Sequence, residues 1–322
     1  MDPSSPPPSG EFGLIRWIRE RERAGRRGGG TVLGIGDDCA ILEPTPGAKL
    51  LVTTDMLMDG RHFRLDEDGA EAVGYKAMGV NVSDIAAMAG VPLAAVVSVS
   101  LPRVGAAEIA RGLHAGLRRM ADRFGVDLVG GDTNAWDGPL VVNVTVLGEA
   151  TSRGAVLRSG ARPGDVVCVT GPLGGSLFRG RHLRPEPRVK EALALHEAIP
   201  IRAMIDISDG LSSDLGHILE ESGGLGAVLD LDRLPIHSDA RDLAEEDGTP
   251  AYLHALNDGE DFELCVAIDR DDAILLRNLT GLHRIHPVGE IVSEPGLRLR
   301  RNDGSMEPIL PAGFDHLRGV EA

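Results

Sequence analysis

"EAVGYKAMGVNVSDIAAMAG" (71–90), followed at once by "AAVVSVSLP" (94–102), decides the class of the fold. The first stretch carries apolar residues at helical spacing, with Gly and Ala interspersed that permit close packing. The second is a Val-rich apolar run with the length of a buried strand. A helix feeding a strand is an α/β signature, and the flanking chain repeats it. "KLLVTTD" (49–55) reads as a strand ending in polar residues, and "AAEIARGLHAGLRRMADRFG" (106–125) as an amphipathic helix. "VDLVGGD" and "LVVNVTVLGEA" read as two more strands. Beyond a polar, Gly-containing segment at 151–165, strands are expected at "VVCVTG", "AMIDIS", "GAVLDLDRLP", "DFELCVAI" and "RIHPVGEIV". Helices are expected at "SSDLGHILEES", with Ser212 or Ser213 as its cap, near 238–246 and near 271–279. The expected organisation is α/β (α+β), with a disordered tail at 1–9, a first domain at 10–150 and a second at 151–322.

Composition narrows the function. The chain has 322 residues, 42% hydrophobic and 25% charged, so it is globular and large enough for two cores. Only 3% of residues are aromatic, which removes base stacking as a main recognition device. A formal charge of -16 opposes a phosphate-backbone partner unless metal ions intervene, so no nucleic acid is expected. The longest apolar stretch, "PLAAVVSVSLP", is too short to span a bilayer, so no membrane is expected either. "MDPSSPPPSG" lacks the apolar core of a signal peptide. Cys39, Cys168 and Cys265 form no CxxC pair, and an odd number is a poor disulfide framework, which points to a reducing cytoplasm. The basic run from Arg16 to Arg27, ending in "GGG", reads as a solvated helix end and a flexible loop.

Acids then gather at the ends of apolar runs, where α/β folds place ligand sites. They are Asp37 and Asp38 in "GIGDDCA", Asp55 in "TTD", Asp84 in "NVSD", Asp132 in "GGDT", Asp206 and Asp209 in "DISDG", and Glu260 and Asp261 in "NDGEDFEL". One such acid is usually a cap or a turn residue. This many, most of them beside Gly, Ser or Thr, point to divalent cations held by hard oxygen ligands, which suits Mg²⁺ and a phosphate substrate. Zinc is disfavoured, because Cys/His ligand spacing is missing. The chain has no Gly-Lys dipeptide, hence no Walker A loop, and no kinase HRD/DFG pair. Basic help could come from Arg158, Arg184 or Arg188.

The ordered motifs "GEFGLI", "GIGDDCA", "LLVTTDML…GRHF", "AVGYKAMGVNVSDIAAMAG", "LVGGDT", "RSGARPGD", "RHLRPEPR", "DISDGLSSDLGHI", "DGEDFEL" and "GFDHL" together resemble the thiamine-monophosphate kinase family. That family belongs to the aminoimidazole ribonucleotide synthetase-like ATP-binding superfamily. The resemblance implies two α/β domains, the first dimerising through its sheet into a homodimer. It implies ATP-dependent phosphorylation of thiamine monophosphate to thiamine diphosphate with several Mg²⁺ ions. Carried over by motif, the metal ligands would be Asp38, Thr53, Thr54, Asp55, Asp84, Asp132, Asp206 and Asp209. ATP would meet Gly131, Asp132, Arg158 and Ser208, and the substrate His62, Glu260 and Phe314.

Three departures stand out. Only "LFRG" separates "GPLGGS" from "RHLRP", where the family carries roughly twenty more residues in a helix and loop. "DGED" replaces "GGED", setting Asp258 beside the substrate acid, and Phe314 replaces a Trp found in some members. Of the rivals in the superfamily, selenophosphate synthetase needs a reactive N-terminal Cys or selenocysteine, yet no Cys precedes Cys39. The carbamoyl-dehydrating hydrogenase maturation protein needs a C-terminal Cys, and the last here is Cys265. Aminoimidazole ribonucleotide synthetase and a non-catalytic nucleotide or Mg²⁺ sensor complete the alternatives. In "GIGDDCA", Asp38 is the expected ligand and Asp37 the turn residue, because neighbours in an extended segment point to opposite faces.

Overall fold

The computed structural model describes residues 10–25, 30–276 and 285–310. The chain divides into two compact units, residues 1–85 with 90–152 and residues 86–89 with 153–322. The tail at 1–9, the loop at 26–29 and Phe314 lie outside the described residues.

In the first unit α1 (Glu11–Gly25) leads to a short hairpin, β1 (Thr31–Leu33) and β2 (Ile41–Leu42). Then follow β3 (Leu50–Met58), the single turn α2 (Leu65–Asp68), α3 (Ala70–Ala87), β4 (Gly90–Pro102), α4 (Ala106–Phe124), β5 (Asp127–Trp136) and β6 (Val141–Ala150). The last four strands form one sheet in the order β3-β6-β4-β5. β6 pairs antiparallel with β3 and β4, whereas β4 and β5 are parallel, with α4 as their crossover. α4 buries Ala110, Leu113, His114, Leu117, Met120 and Ala121, one stripe at i, i+3, i+4 and i+7, and ends on Gly125 in the left-handed region. α3 differs from an ordinary amphipathic helix, since every residue from Val73 to Ser83 is buried.

Glycines set the spacing of α3 and α4. A Cβ on Gly116 would stand 1.9 Å from the Glu71 carbonyl oxygen, and one on Gly74 would stand 2.2 Å from that of Leu113. The two helix backbones touch, which only glycine allows.

The second unit holds β7 (Val166–Val169), α5 (Val189–Ala198), β8 (Ile201–Asp206), α6 (Leu211–Glu221), β9 (Gly226–Asp230), α7 (Ser238–Asp247), α8 (Ala251–Asn257), β10 (Leu264–Ile268), α9 (Arg270–Leu276), β11 (His286–Val292), β12 (Gly296–Arg300) and β13 (Met306–Ile309). Their sheet has seven strands in the order β13-β12-β9-β11-β7-β10-β8, antiparallel except for β12 with β9. Val167, Val169, Ile205, Cys265 and Ala267 pack with Leu211, Leu215 and Ile218 of α6. Cys168, Met204, Leu264, Val266 and Ile268 face the other way, onto Ala192 and Leu195 of α5. A strand covered on both faces reads as one continuous apolar run, as "LCVAI" does.

Several details differ from expectation. β3 runs on to Met58 and β5 to Trp136, because cross-strand pairing continues through their polar residues. α5, α8, β12 and β13 were not expected from the sequence, although Val189, Ala192, Leu195 and His196 of α5 keep helical spacing and Leu297 and Leu299 of β12 alternate with arginines. Neither Ser212 nor Ser213 caps α6: Gly210 holds the cap position at φ 107, and the Ser212 hydroxyl instead donates to Asn257 Oδ1 at 2.7 Å. The shortened "LFRG" segment closes through a 3-10 turn at Arg181–Leu183, and α5 follows it. The basic run is not simply solvated. In α1, Trp17 and Glu22 are buried, and Glu22 accepts from Arg118 at 2.9 Å and pairs with His114 at 2.8 Å.

Gly116→Ala is expected to cost about 1–3 kcal/mol by forcing α3 and α4 apart. A urea unfolding midpoint lowered relative to the unmutated chain checks this, and an unchanged midpoint would deny the close approach.

Candidate active site

In the first unit three of the expected ligands meet. β3 alternates, so Leu51, Thr53, Asp55 and Leu57 face inward while Leu50, Val52, Thr54, Met56 and Met58 face outward. α3 runs beneath the inward face and presents Asp84 to it. The Thr53 hydroxyl donates to Asp84 Oδ2, and Asp55 shares a hydrogen bond with the same carboxyl. Burial, then the charge of Asp84, then that shared bond push the Asp55 carboxyl up to about 7. Two acids and a hydroxyl thus crowd together, and the doubly charged form of the pair is disfavoured.

Thr54 does not join them. Its hydroxyl lies on the outward face, 2.9 Å from Thr145 Oγ1 and 3.2 Å from the Val144 carbonyl, apart from this group. Asp132 is also on the outward face. The register sets Asp55 beside Val144, Val144 beside Val97 and Val97 beside Gly131, so the next residue, Asp132, stands with Ser98, Asn143 and Met56. There it accepts from Asn134 Nδ2 at 3.1 Å. Gly131 is needed as glycine, since a Cβ would stand 2.0 Å from the Val97 carbonyl oxygen.

Residues 35–39 of "GIGDDCA" form a bend, not the extended segment expected, and both acids are exposed. The Asp38 backbone N–H donates to Asp37 Oδ1 at 2.9 Å, so Asp37 bonds within the turn. Gly36, at φ +135, leaves room for the Arg19 guanidinium, whose Nε would lie 2.4 Å from a Cβ there. His62 follows β3. Its Nδ1 accepts the Met58 N–H at 3.0 Å, which leaves the ring proton on Nε2. Its carbonyl accepts from the fully buried Lys76 Nζ at 2.6 Å, tying the His62 turn to α3.

In the second unit the other acids converge on two interlocked turns. Asp206 closes β8 and is buried, and the turn Ser208–Gly210 leads into α6. Against it lies "NDGED": the Glu260 N–H donates to the Ser208 carbonyl at 2.7 Å and the Phe262 N–H to that of Ile207 at 2.8 Å. To make these bonds Glu260 (φ 51) and Phe262 (φ 53) both adopt the left-handed region, strain that clusters at functional sites. Asp214 of α6, buried, accepts the Asp209 N–H at 3.0 Å. Burial, then the charges of Asp206 and Asp209, raise the Asp214 carboxyl to about 8.

The remaining acids of that run serve the scaffold. Asp261 accepts the Gly174 N–H at 2.9 Å and Arg181 at 2.8 Å, and burial raises its carboxyl to about 7 despite the arginine. Glu263 is gripped by Arg188 and by the Thr170 hydroxyl. Asp258, at the departure from the family pattern, turns to the Gly175 N–H at 2.7 Å and to His254 at 3.0 Å. Arg158 and Arg184 are exposed. Asp214, and the face it shares with His217, went unnoticed in the sequence, although a carboxylate and an imidazole three apart on a helix was the available signal.

Comparison with known proteins identifies the family and the fold. The pattern described as AIR synthase related protein, N-terminal domain, matches residues 36–150, and its C-terminal domain counterpart matches 162–302. The thiamine-monophosphate kinase of Rhodopirellula baltica is 40% identical over 313 residues, 95% of this chain and 97% of that one. The crystal structure of thiamine-monophosphate kinase from Stenotrophomonas maltophilia superposes with a TM-score of 0.78 at 34% identity, covering 92% of this chain and 97% of that one. AaThiL complexed with AMPPCP and TMP superposes with a TM-score of 0.74 at 30% identity, covering 96% of this chain and 97% of that one. The fold and site define a member of the AIR synthase-related ATP-binding class, and within it the chain belongs to the thiamine-monophosphate kinase family.

The Asp55 shift has a pH consequence. A folded-state pKa raised above the unfolded value contributes stability that is complete below about pH 4 and is lost as pH rises through about 7. Asp55→Asn removes a carboxylate that burial and the Asp84 charge both penalise, so in chelator at pH 8 the variant is expected to melt above the unmutated chain, by about 2–4 °C per kcal/mol regained. At pH 4.5 the gap should shrink. A lower melting point for the variant at pH 8 would show that the charged Asp55 carboxylate is not penalised there.

Proposed function

We infer that this chain is an enzyme that transfers the γ-phosphoryl group of ATP to thiamine monophosphate, yielding thiamine diphosphate, a step of thiamine diphosphate biosynthesis. The observation that carries this reading is the Asp55–Asp84–Thr53 group, set within a chain that matches thiamine-monophosphate kinases over nearly its whole length. The complex of its structural neighbour with AMPPCP and TMP supports the pair of substrates.

The donor set fits Mg²⁺: two carboxylates and a hydroxyl are hard oxygens, and the repelled Asp55 is short of a positive charge. Asp38, Asp55, Asp84 and Thr53 would hold the ions in the first unit, and Asp206 and Asp209 in the second. Bound there, Mg²⁺ would supply charge neutralisation between two phosphate-bearing substrates. The accepting phosphate is already mostly a dianion at pH 7 and needs no general base, so these residues have only to orient and screen. Ser208 and Arg158 would contact ATP, and His62 and Glu260 the substrate. Glu260 is aimed by its left-handed backbone and the bond to Ser208.

The dimer is part of the same proposal. Leu50, Val52, Met56 and Met58 stand 51%, 66%, 56% and 42% exposed on the outward face of β3, an apolar row that a second copy would cover. Asp132 shares that face, so its metal and ATP contacts would be made where two protomers meet. The medium is the cytoplasm: Cys39 is a free exposed thiol, and Cys168 and Cys265 are free and buried.

ADP release coupled to thiamine monophosphate is the direct test. Activity should require a divalent cation, and Asp84→Asn should lower it on the order of a hundredfold or more with the fold intact. ADP release that ignores thiamine monophosphate would end this reading. For the dimer, sedimentation at micromolar concentration should give two copies, and Val52→Asp with Met56→Asp should give one. A monomeric unmutated chain would refute the interface.

A further inference from the structure

The donor atoms of Asp209, Asp214 and His217 all lie within 4.8 Å of one another. Asp209 comes from the turn after β8, and Asp214 and His217 come from the first two turns of α6, three residues apart and therefore on one helix face. Asp214 is buried and takes the Asp209 N–H, which ties the turn to the helix and holds two of the donors in register. A carboxylate that accepts N–H bonds keeps further lone pairs for a cation. His217 is exposed and makes no hydrogen bond among the described residues, so its imidazole nitrogens are open to a ligand.

We propose that these three side chains form a further cation site, sharing Asp209 with the Mg²⁺ ligands read above, for a divalent ion that takes an imidazole nitrogen as well as oxygen, such as Mn²⁺ or Zn²⁺. The imidazole makes the difference. Asp55, Asp84 and Thr53 offer oxygen alone, which suits Mg²⁺, whereas two carboxylates and one imidazole favour a cation that accepts nitrogen. The site sits on the turn that carries Ser208, so a cation there would stiffen the ATP-binding turn. The proposal rests on reading Asp209 as a metal ligand in the kinase.

Mn²⁺ is the probe. Free Mn²⁺ is followed by electron paramagnetic resonance as it is titrated into the full chain without nucleotide, and Zn²⁺ is then added as competitor. One Mn²⁺ should bind in the unmutated chain at least tenfold more tightly than in His217→Ala, and Zn²⁺ should displace it. Asp214→Asn should weaken it likewise. His217 is exposed, so the variant should melt in chelator as the unmutated chain does, which separates ligand loss from unfolding. Equal Mn²⁺ affinity in His217→Ala and the unmutated chain would overturn the site. ADP release with thiamine monophosphate and Mg²⁺ is measured in parallel. Normal turnover with unchanged Mn²⁺ affinity refutes the α6 site alone. A tenfold loss of Mn²⁺ affinity in a chain without that turnover keeps the site and refutes the kinase reading.

Discussion

The burial of Asp55 beside a second carboxylate, Asp84, is the constraint on which the first unit's site depends. Two carboxylates that share one hydrogen bond in a part-buried place destabilise a free chain, and only rigid surroundings keep them together. α3 supplies the rigidity. It is buried on every side from Val73 to Ser83, and it lies so close to α4 that Gly74 and Gly116 tolerate no side chain. The sheet supplies the other half, since β3 is paired along its whole length with β6 and cannot swing Asp55 aside. Packing energy thus offsets an electrostatic cost that a bound cation would relieve.

The second unit solves a related problem with backbone strain. Its acids sit on two turns, and the turns are fastened by main-chain bonds from Glu260 to Ser208 and from Phe262 to Ile207. Those bonds require a left-handed backbone at two residues with side chains, at a cost of order 1–3 kcal/mol each. The neighbouring acids Asp258, Asp261 and Glu263 are spent on holding the 170–188 segment in place through Gly175, Gly174, Arg181 and Arg188. A row of carboxylates that looks uniform in sequence therefore divides into scaffold and site.

Much was legible from local pattern alone. The two long helices, the buried strands and the break after the first sheet follow from apolar period and from Gly and Pro placement, which act over a few residues. The family followed from ordered motifs, each short and weak by itself. The acids stood out as a class in the sequence, because carboxylates at strand ends beside Gly and Ser have few purely local uses. What stayed hidden was set by partners distant in the chain: α5, whose apolar face lies on the sheet, α8, which packs against α6 and α7, and the Ser212 hydroxyl, which turns to Asn257 while Gly210 holds the cap position of α6.

The sequence by itself determined that this is an α/β chain, rich in strand-end acids, of a phosphate-handling family, because residue type and spacing carry that information. Only the tertiary structure decided which acids act together. Strand alternation sent Thr54 and Asp132 to the opposite face from Thr53 and Asp55, and sheet register, a property of four strands at once, cannot be read from any one of them. Helix geometry likewise brought His217 to Asp209 and Asp214, a meeting that the linear order of "DISDGLSSDLGHI" contains but only the folded turn completes.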